Sequence, residues 1–335
     1  MSALASPFVW REALRAPGRR PRVGWVLPKL WGYREADAST RLRAYDLWEP
    51  LRRLGVGAEL YRPFFRYDAV VFQKAFEADH RELAARLRAR GTRVVLDINV
   101  DYLHEDPEFV PARKREAMRL MLPLVDLVVA SSARLARVYE AAGRPTRVAE
   151  DSVPLSRFPS PKRHEARGGV TFLYCGYAVK ARELEPLRPV LTRLARRPGT
   201  RFLFVADKDP RLGLPGSVFR RFDVDALPSL LAGADVKLAP RDLGRAYNLG
   251  HSSAKIALPM AAGLAVAASP VPSYEGSPAR LCGTESEWES CLEELADDPA
   301  LRQRLGEAGR AYVRERFDTP VVAERYAAAL REALS

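Results

Sequence analysis

Short apolar runs alternate along the chain with longer stretches whose apolar positions recur every three or four residues. A run of the first kind has the period of a buried strand and the second that of an amphipathic helix, so the alternation predicts β-α-β layers around parallel sheets. A first set of strands is read at "VGWVLP" from Val23, "GAELYRP" from Gly57, "DAVVFQK" from Asp68, "RVVLDIN" from Arg93 and "LVVASS" from Leu127. Helical patterns such as "TRLRAYDLWEPLRRLG" and "DHRELAARLRARG" lie between them, each closed by a glycine that can take the left-handed conformation of a helix end. A second set follows the proline- and charge-rich segment of residues 154–169, which reads as a linker: "TFLYCGY", "RFLFVAD", "VFRRFDV", "VKLAP" and "LAVAAS". The expected fold is therefore α/β, with two Rossmann-like, doubly wound parallel-sheet domains. Ligands of such sheets sit at the carboxyl ends of the strands, which places a shared ligand in the cleft between them.

Composition narrows the possible functions. With 335 residues, 47% of them apolar, the chain can bury two cores. No run approaches the roughly 18 apolar residues of a membrane span, and the first twenty residues lack the apolar core and cleavage pattern of a secretory leader, so a cytoplasmic protein is expected. Cys175, Cys282 and Cys291 are odd in number and have no C-x-x-C spacing, which gives neither a disulfide framework nor a zinc site. The formal charge of +12 implies attraction to phosphates. Without aromatics interleaved on a basic strand, or a recognisable binding motif, nucleic acid is not the expected partner.

Two strand-to-helix junctions of the second half carry the chemistry. In "HSSAKIALPMAAGLAVAASP", Ser252 or Ser253 is placed to cap a helix whose free N–H groups attract an anion, and Lys255 adds a full charge one turn in. In "FLYCGYAVKARELEPL" a strand ends at Gly176, which lets a backbone approach a ligand, and Lys180 and Arg182 follow. Cations at two junctions suit a diphosphate. In the first half, "LDINVDYLHEDPE" gathers Asp97, Asn99, Asp101, His104 and Glu105 after a strand, with Glu108 at the twelfth position of a would-be calcium loop. Tyr102 stands where that loop needs its glycine, and a strand precedes it instead of a helix, so no metal is expected. Of the histidines, His80 and His164 read as surface residues and His251 borders the diphosphate site.

The order and spacing of these segments resemble the GT-B glycosyltransferases, specifically their large retaining family four. "AGADVKLAPRD" and "SSAKIALPMAAGLAVAASPV" are similar to that family's Ala-Asp strand and its Lys-Leu-Leu-Glu-x-Met-Ala-Ala-Gly signature. "VDLVVASSARLARVYEAAG" and the tail "ALRQRLGEAGRAYVRERFDTPVVAERYAAAL" are similar to its strand before a serine and its closing helices. The resemblance implies an acceptor-side domain over residues 1–160, a donor-side domain over 161–315, and a helix over 316–335 that crosses back to the first domain. It implies a nucleotide-diphosphate sugar, UDP- or GDP-linked, as co-substrate, with no further cofactor. Arg182 takes the place of the family's phosphate-binding lysine with Lys180 beside it. Gly250, His251, Ser252, Ser253 and Lys255 line the diphosphate site, and Asn248 and Glu275 border nucleotide and sugar. Asp101 and His104 face the donor sugar and acceptor as candidate catalytic groups, and Arg41, Lys74 and Ser131 lie on the acceptor side.

One departure stands out. The family carries two glutamates eight positions apart, the second holding the ribose hydroxyls, and at the matching positions this chain has Gly250 and Leu258. Pro259 follows and disfavours helical geometry at Leu258. Either the ribose is held differently in an active, metal-independent transferase, or the chain is an altered or inactive GT-B relative that binds nucleotides or glycans as a partner subunit. The sugar and the acceptor are not named by these residues. A basic surface would also permit peripheral contact with a membrane carrying a lipid-linked acceptor.

Overall fold

The computed structural model describes residues 20–30, 32–165 and 169–335, so the reading of the first twenty residues lies almost wholly outside the described residues. The strands form two six-stranded sheets in which every pair is parallel. The first has the order β2-β1-β3-β4-β5-β6, from β1 (Arg22–Val26), β2 (Gly57–Leu60), β3 (Ala69–Gln73), β4 (Arg93–Ile98), β5 (Leu127–Ala130) and β6 (Thr146–Val148). The second has the order β12-β11-β10-β7-β8-β9, from β7 (Val170–Cys175), β8 (Thr200–Ala206), β9 (Ser217–Arg221), β10 (Val236–Ala239), β11 (Ala265–Ala268) and β12 (Arg280–Leu281). The strand order reverses between β1 and β3 in one sheet and between β7 and β10 in the other. These switch points are where crossover helices leave on opposite faces and a crevice opens.

The central strands are apolar throughout because helices cover both of their faces. On one face of the first sheet Val70, Phe72, Val94 and Leu96 pack against helices Ala78–Ala89, Ala112–Met121 and Ala133–Ala141. On the other, Trp25, Val71 and Val95 meet Leu47 and Leu51 of the first long helix and Val322, Tyr326 and Leu330 of the last helix, Thr319–Leu334. Burying a side chain of this size contributes about 1.5–3 kcal/mol, so the last helix is a structural wall of the first sheet. The second sheet is sandwiched similarly, with Phe172, Phe202 and Trp288 on one face and Ile256, Met260 and Val313 on the other.

The first long helix, expected over 40–55, starts at Ala38 and runs to Arg53, with a π-helical turn at Arg41–Tyr45. Residues of the expected linker lie against the second sheet's helices: Lys162 N donates to Ala262 O at 2.7 Å. His164, expected at the surface, has a fully buried ring, with Nε2 3.0 Å from Gly263 O. Gly263 makes this packing possible, because it adopts φ +83° and a Cβ there would lie 2.9 Å from Lys162 N.

Candidate functional site

Both crevices open into one cleft. On the second-sheet side, the turn after β7 carries Gly176, Lys180, Arg182 and Glu183, and the segment after β10 carries Arg241, Arg245, Asn248 and Gly250. Lys255, in the short helix Ala254–Ala261, reaches back under β7: a Cβ added to Gly176 would stand 2.8 Å from Lys255 Nζ, and the ammonium lies 5.2 Å from the Tyr174 ring centroid. A side chain at position 176 would have to displace the Lys255 ammonium from this place. Lys180 Nζ donates to Tyr247 Oη at 3.0 Å and lies over the rings of Phe109 and Tyr247. Lys237, in β10 itself, is buried with its ammonium on Leu238 O at 2.6 Å.

A single carboxylate sits among these cations. Glu183 accepts from Arg241 Nη1 and Asn248 Nδ2, each at 2.9 Å. Among the described residues no carboxylate lies within ion-pair distance of Lys180, Lys237 or Lys255. Burial, reinforced by Arg241, pushes Lys180 down to about 7. Burial pushes Lys237 down to about 8 and Lys255 well below the ordinary lysine value, with Arg241 and Lys237 adding to the effect on Lys255. His251, whose Nε2 is buried and unpartnered, is likewise driven well below its usual value by desolvation and by Arg241, Lys180 and Lys255. Such a hollow has the electrostatics of a polyanion site whose charges are left uncompensated until the anion arrives.

The first-sheet side is different. At the end of β4, Asp97 accepts from Arg43 Nε at 2.7 Å, Arg43 Nη2 at 2.9 Å and Tyr326 Oη at 2.7 Å. Arg43 also donates to Ala149 O at 2.8 Å and Asp151 at 3.1 Å, and the far oxygen of Asp151 accepts from the Ser252 hydroxyl. Burial alone would lower the Arg43 guanidinium, but Asp97 and Asp151 outweigh it and hold the arginine charged. Four residues beyond Asp97, Asp101 is buried and accepts from the backbone of Leu103 and His104. Its second oxygen lies 2.7 Å from His104 Nδ1, while the histidine ring is mostly exposed. Asp101 also packs on Gly250: a Cβ at position 250 would be 3.2 Å from Asp101 Cβ. The two sheets therefore meet at this point.

The cleft is bridged on both flanks. Arg245 Nε donates to Asp106 at 2.8 Å, and Arg182 and Arg245 both pair with Glu108. On the other flank Tyr177 Oη donates to Asp37 at 3.0 Å, Arg157 to Tyr33 Oη at 2.9 Å, and Arg34 pairs with Asp225 at 2.6 Å.

The residues anticipated from the sequence divide accordingly. Gly176, Lys180, Asn248, Gly250, His251, Ser252, Ser253 and Lys255 come together at the carboxyl edge of β7 and β10, with Asp101 packed on Gly250 and His104 bonded to Asp101. Arg182 is turned to Glu108, at the rim, and Arg241 stands beside Lys255 instead. The serine hydroxyls do not cap the helix: Ser252 is taken by Asp151, and Ser253 donates to Ser273 O at 2.8 Å. Glu275 is exposed, in the turn after Tyr274. Arg41 is buried, bonded to Ala36 O and 5.6 Å from the Phe222 ring, which places it between the sheets. Lys74 and Ser131 follow β3 and β5 directly. Leu258 packs in the core around β11 and offers the site no acid. Glu183, Arg241, Lys237 and Arg43 were missed. The first polar residue after a buried strand at a switch point, as in "VKLAPRD", is the signal that would have found Arg241.

Neither a protein-family model nor a curated protein matches the chain. Solved structures do. Sucrose-phosphate synthase from Thermosynechococcus elongatus superposes with a TM-score of 0.68 over 94% of this chain and 99% of its own, at 15% identity. Anabaena HepE in complex with UDP-glucose gives 0.69 over 93% of this chain and all of its own, at 17% identity. An α,α-trehalose-phosphate synthase (UDP-forming) from Burkholderia vietnamiensis gives 0.59 over 89% and 85%, at 13% identity. With its two parallel sheets facing across a cleft and these superpositions over nearly its whole length, the chain has the GT-B fold.

Proposed function

We propose that the protein is a glycosyltransferase that moves a sugar from a nucleotide-diphosphate sugar, UDP- or GDP-linked, to an acceptor with retention and without a metal ion. The observation that carries this reading is the convergence of Lys180, Arg241 and Lys255 around one carboxylate, Glu183, opposite the Asp101–His104 pair. Negative charge grows on the diphosphate as the glycosidic bond to it breaks. Arg241, charged throughout, and the two lysines, which hold their protons once the anion is bound, stabilise that charge from positions the fold already fixes. Lys255 and Lys180 gain their protons' full value only when the anion is present, so they favour the leaving group over the empty site. Asp101, held by its own loop amides, fixes the His104 ring, whose exposed edge is free to orient a sugar hydroxyl or to move a proton at the acceptor oxygen. In this reading the second sheet is the donor side and the first the acceptor side. The bridged flanks exclude water and protect the donor from hydrolysis. That HepE was solved with UDP-glucose supports a UDP-sugar as the first donor to test.

Gly250 and Leu258 favour a second reading, a GT-B relative that binds a nucleotide or glycan without turnover. Titration calorimetry with UDP, GDP and their glucose and mannose derivatives, followed by mass spectrometry of acceptor mixtures, separates the two. Binding with transfer supports the first reading and binding without transfer the second. No binding of any nucleotide at millimolar concentration removes the donor site altogether.

A further inference from the structure

The loop between β4 and helix Ala112–Met121 reaches out of the first sheet and lies across cations of the second. Tyr102 and Val110 root it in the first core, while Pro107 and Glu108 stand exposed at its tip. Asp106 shapes the turn: its Oδ1 accepts from the backbone of Glu108 at 3.2 Å and of Phe109 at 2.9 Å, and Val110 N donates to Asp106 O at 2.7 Å. The same carboxylate takes Arg245 at two points, 2.8 and 2.5 Å. Phe109 stacks on Tyr247, with centroids 4.8 Å apart and 26° between the planes. Its ring centre lies 4.8 Å from Lys180 Nζ, 5.0 Å from Arg245 Cζ and 5.9 Å from Arg182 Cζ. One aromatic ring and two carboxylates of the first domain thus cover three cations of the second.

The two carboxylates are held with different firmness. Asp106 is 3% exposed and fixed by two amides and a two-point arginine pair, so it anchors the loop. The Glu108 carboxylate meets only arginines: Arg245 Nη1 at 3.2 Å, and Arg182, whose side chain is 48% exposed. An ion pair so open to water is weak and easily exchanged. A diphosphate offers an arginine more charge and more acceptor oxygens than one carboxylate does. Arg182 stands two positions from Lys180 on the turn Ala178–Leu187, and among the described residues Glu108 is the carboxylate paired with it. Of these two neighbouring cations, then, the first domain has satisfied one and left the other, Lys180, without a carboxylate.

We infer that Glu108 is a built-in stand-in anion, an autoinhibitory contact that occupies Arg182 in the ligand-free protein and is displaced when a diphosphate takes that arginine, while Asp106 and Arg245 keep the loop anchored. This rests on the donor-site reading above, and the experiment separates the two. Calorimetry on the full chain would titrate inorganic pyrophosphate and UDP into the parent, Glu108→Gln and Arg182→Gln. Hydrogen exchange would follow the amides of residues 103–110 in the same samples. The two partners of one ion pair are expected to act with opposite sign. Glu108→Gln removes the competitor and should tighten both anions about three- to tenfold. Arg182→Gln removes the prize and should weaken both about tenfold. Both variants should speed exchange in the loop of the ligand-free protein, as saturating pyrophosphate should in the parent, with protection elsewhere unchanged. A merely structural salt bridge would instead lower affinity in both variants. Unchanged or weaker anion binding by Glu108→Gln, a loop whose exchange does not respond to pyrophosphate, or no binding of either anion to any of the three proteins overturns the proposal. Pyrophosphate behaving as described while UDP fails to bind overturns the donor reading alone.

Discussion

The two sheets build the same crevice and fill it in opposite ways. At the first, a fully buried arginine is met by two carboxylates and a backbone carbonyl, and a tyrosine donates to one of those carboxylates, so that Arg43, Asp97 and Asp151 hold one another. At the second, of four cations Arg241 alone pairs with a carboxylate, and among the described residues none lies within ion-pair distance of Lys180, Lys237 or Lys255. Compensated charge holds parts together; uncompensated charge waits for a ligand. On the proposed reading, the contrast separates residues that serve stability from residues that would serve binding, without appeal to their position in a motif.

Substitution should make that contrast measurable. The largest effect is expected for Arg43→Met, which strands two buried carboxylates and should cost about 3–5 kcal/mol in urea unfolding. A loss below about 1 kcal/mol would mean the network is not compensated in the way described. Next comes Lys255→Ala, for which turnover should fall about a hundredfold, the value of one transition-state donor. Because it removes a desolvated cation from a crowd of cations, the ligand-free protein should keep or gain stability, the reverse of Arg43→Met. Near-normal turnover would remove Lys255 from the site.

Third is the pH response. Lys180 sits near 7 in the free protein, and a bound diphosphate must raise it, so binding takes up a proton above that pH. UDP affinity should be about tenfold weaker at pH 8.5 than at pH 7. Lysines held below their ordinary value also bind fewer protons folded than unfolded, so ligand-free stability should rise from about pH 7 towards pH 10. A flat UDP affinity from pH 7 to 8.5 would show Lys180 to be either charged throughout or remote from the anion. The smallest effect belongs to Arg182→Ala, at the rim and half-exposed against Glu108: under about 1 kcal/mol in stability, vanishing in high salt.

Most of the fold was legible because strand period and burial coincide. The ten strands read from apolar runs are all present, whereas β6 ("TRV") and β12 ("RL") escaped, being too short to show a period and carrying arginine. The π-helical turn at Arg41–Tyr45 has no residue pattern of its own, since it widens the backbone hydrogen-bond spacing by one residue without calling for any residue type. Within the site, lysines and glycines at strand-to-helix junctions could be read locally. Arg43 could not, because its partners lie 54 and 108 positions away and nothing in "TRLRAYD" distinguishes a solvated arginine from a buried one. Nor could the serines be assigned: a cap is a local bond, but the Asp151 that takes Ser252 arrives from the other side of the chain's crossover. His164 misled for a related reason, since a charged neighbourhood in sequence was taken for a wet one in space.

The helix Thr319–Leu334 has a bearing on how the molecule comes into being. Its Val322, Tyr326 and Leu330 finish the apolar layer over Trp25, Val71 and Val95. A ribosome must therefore translate the whole of the second sheet before the first can bury that face, and the half that is made earliest is the last to be sealed.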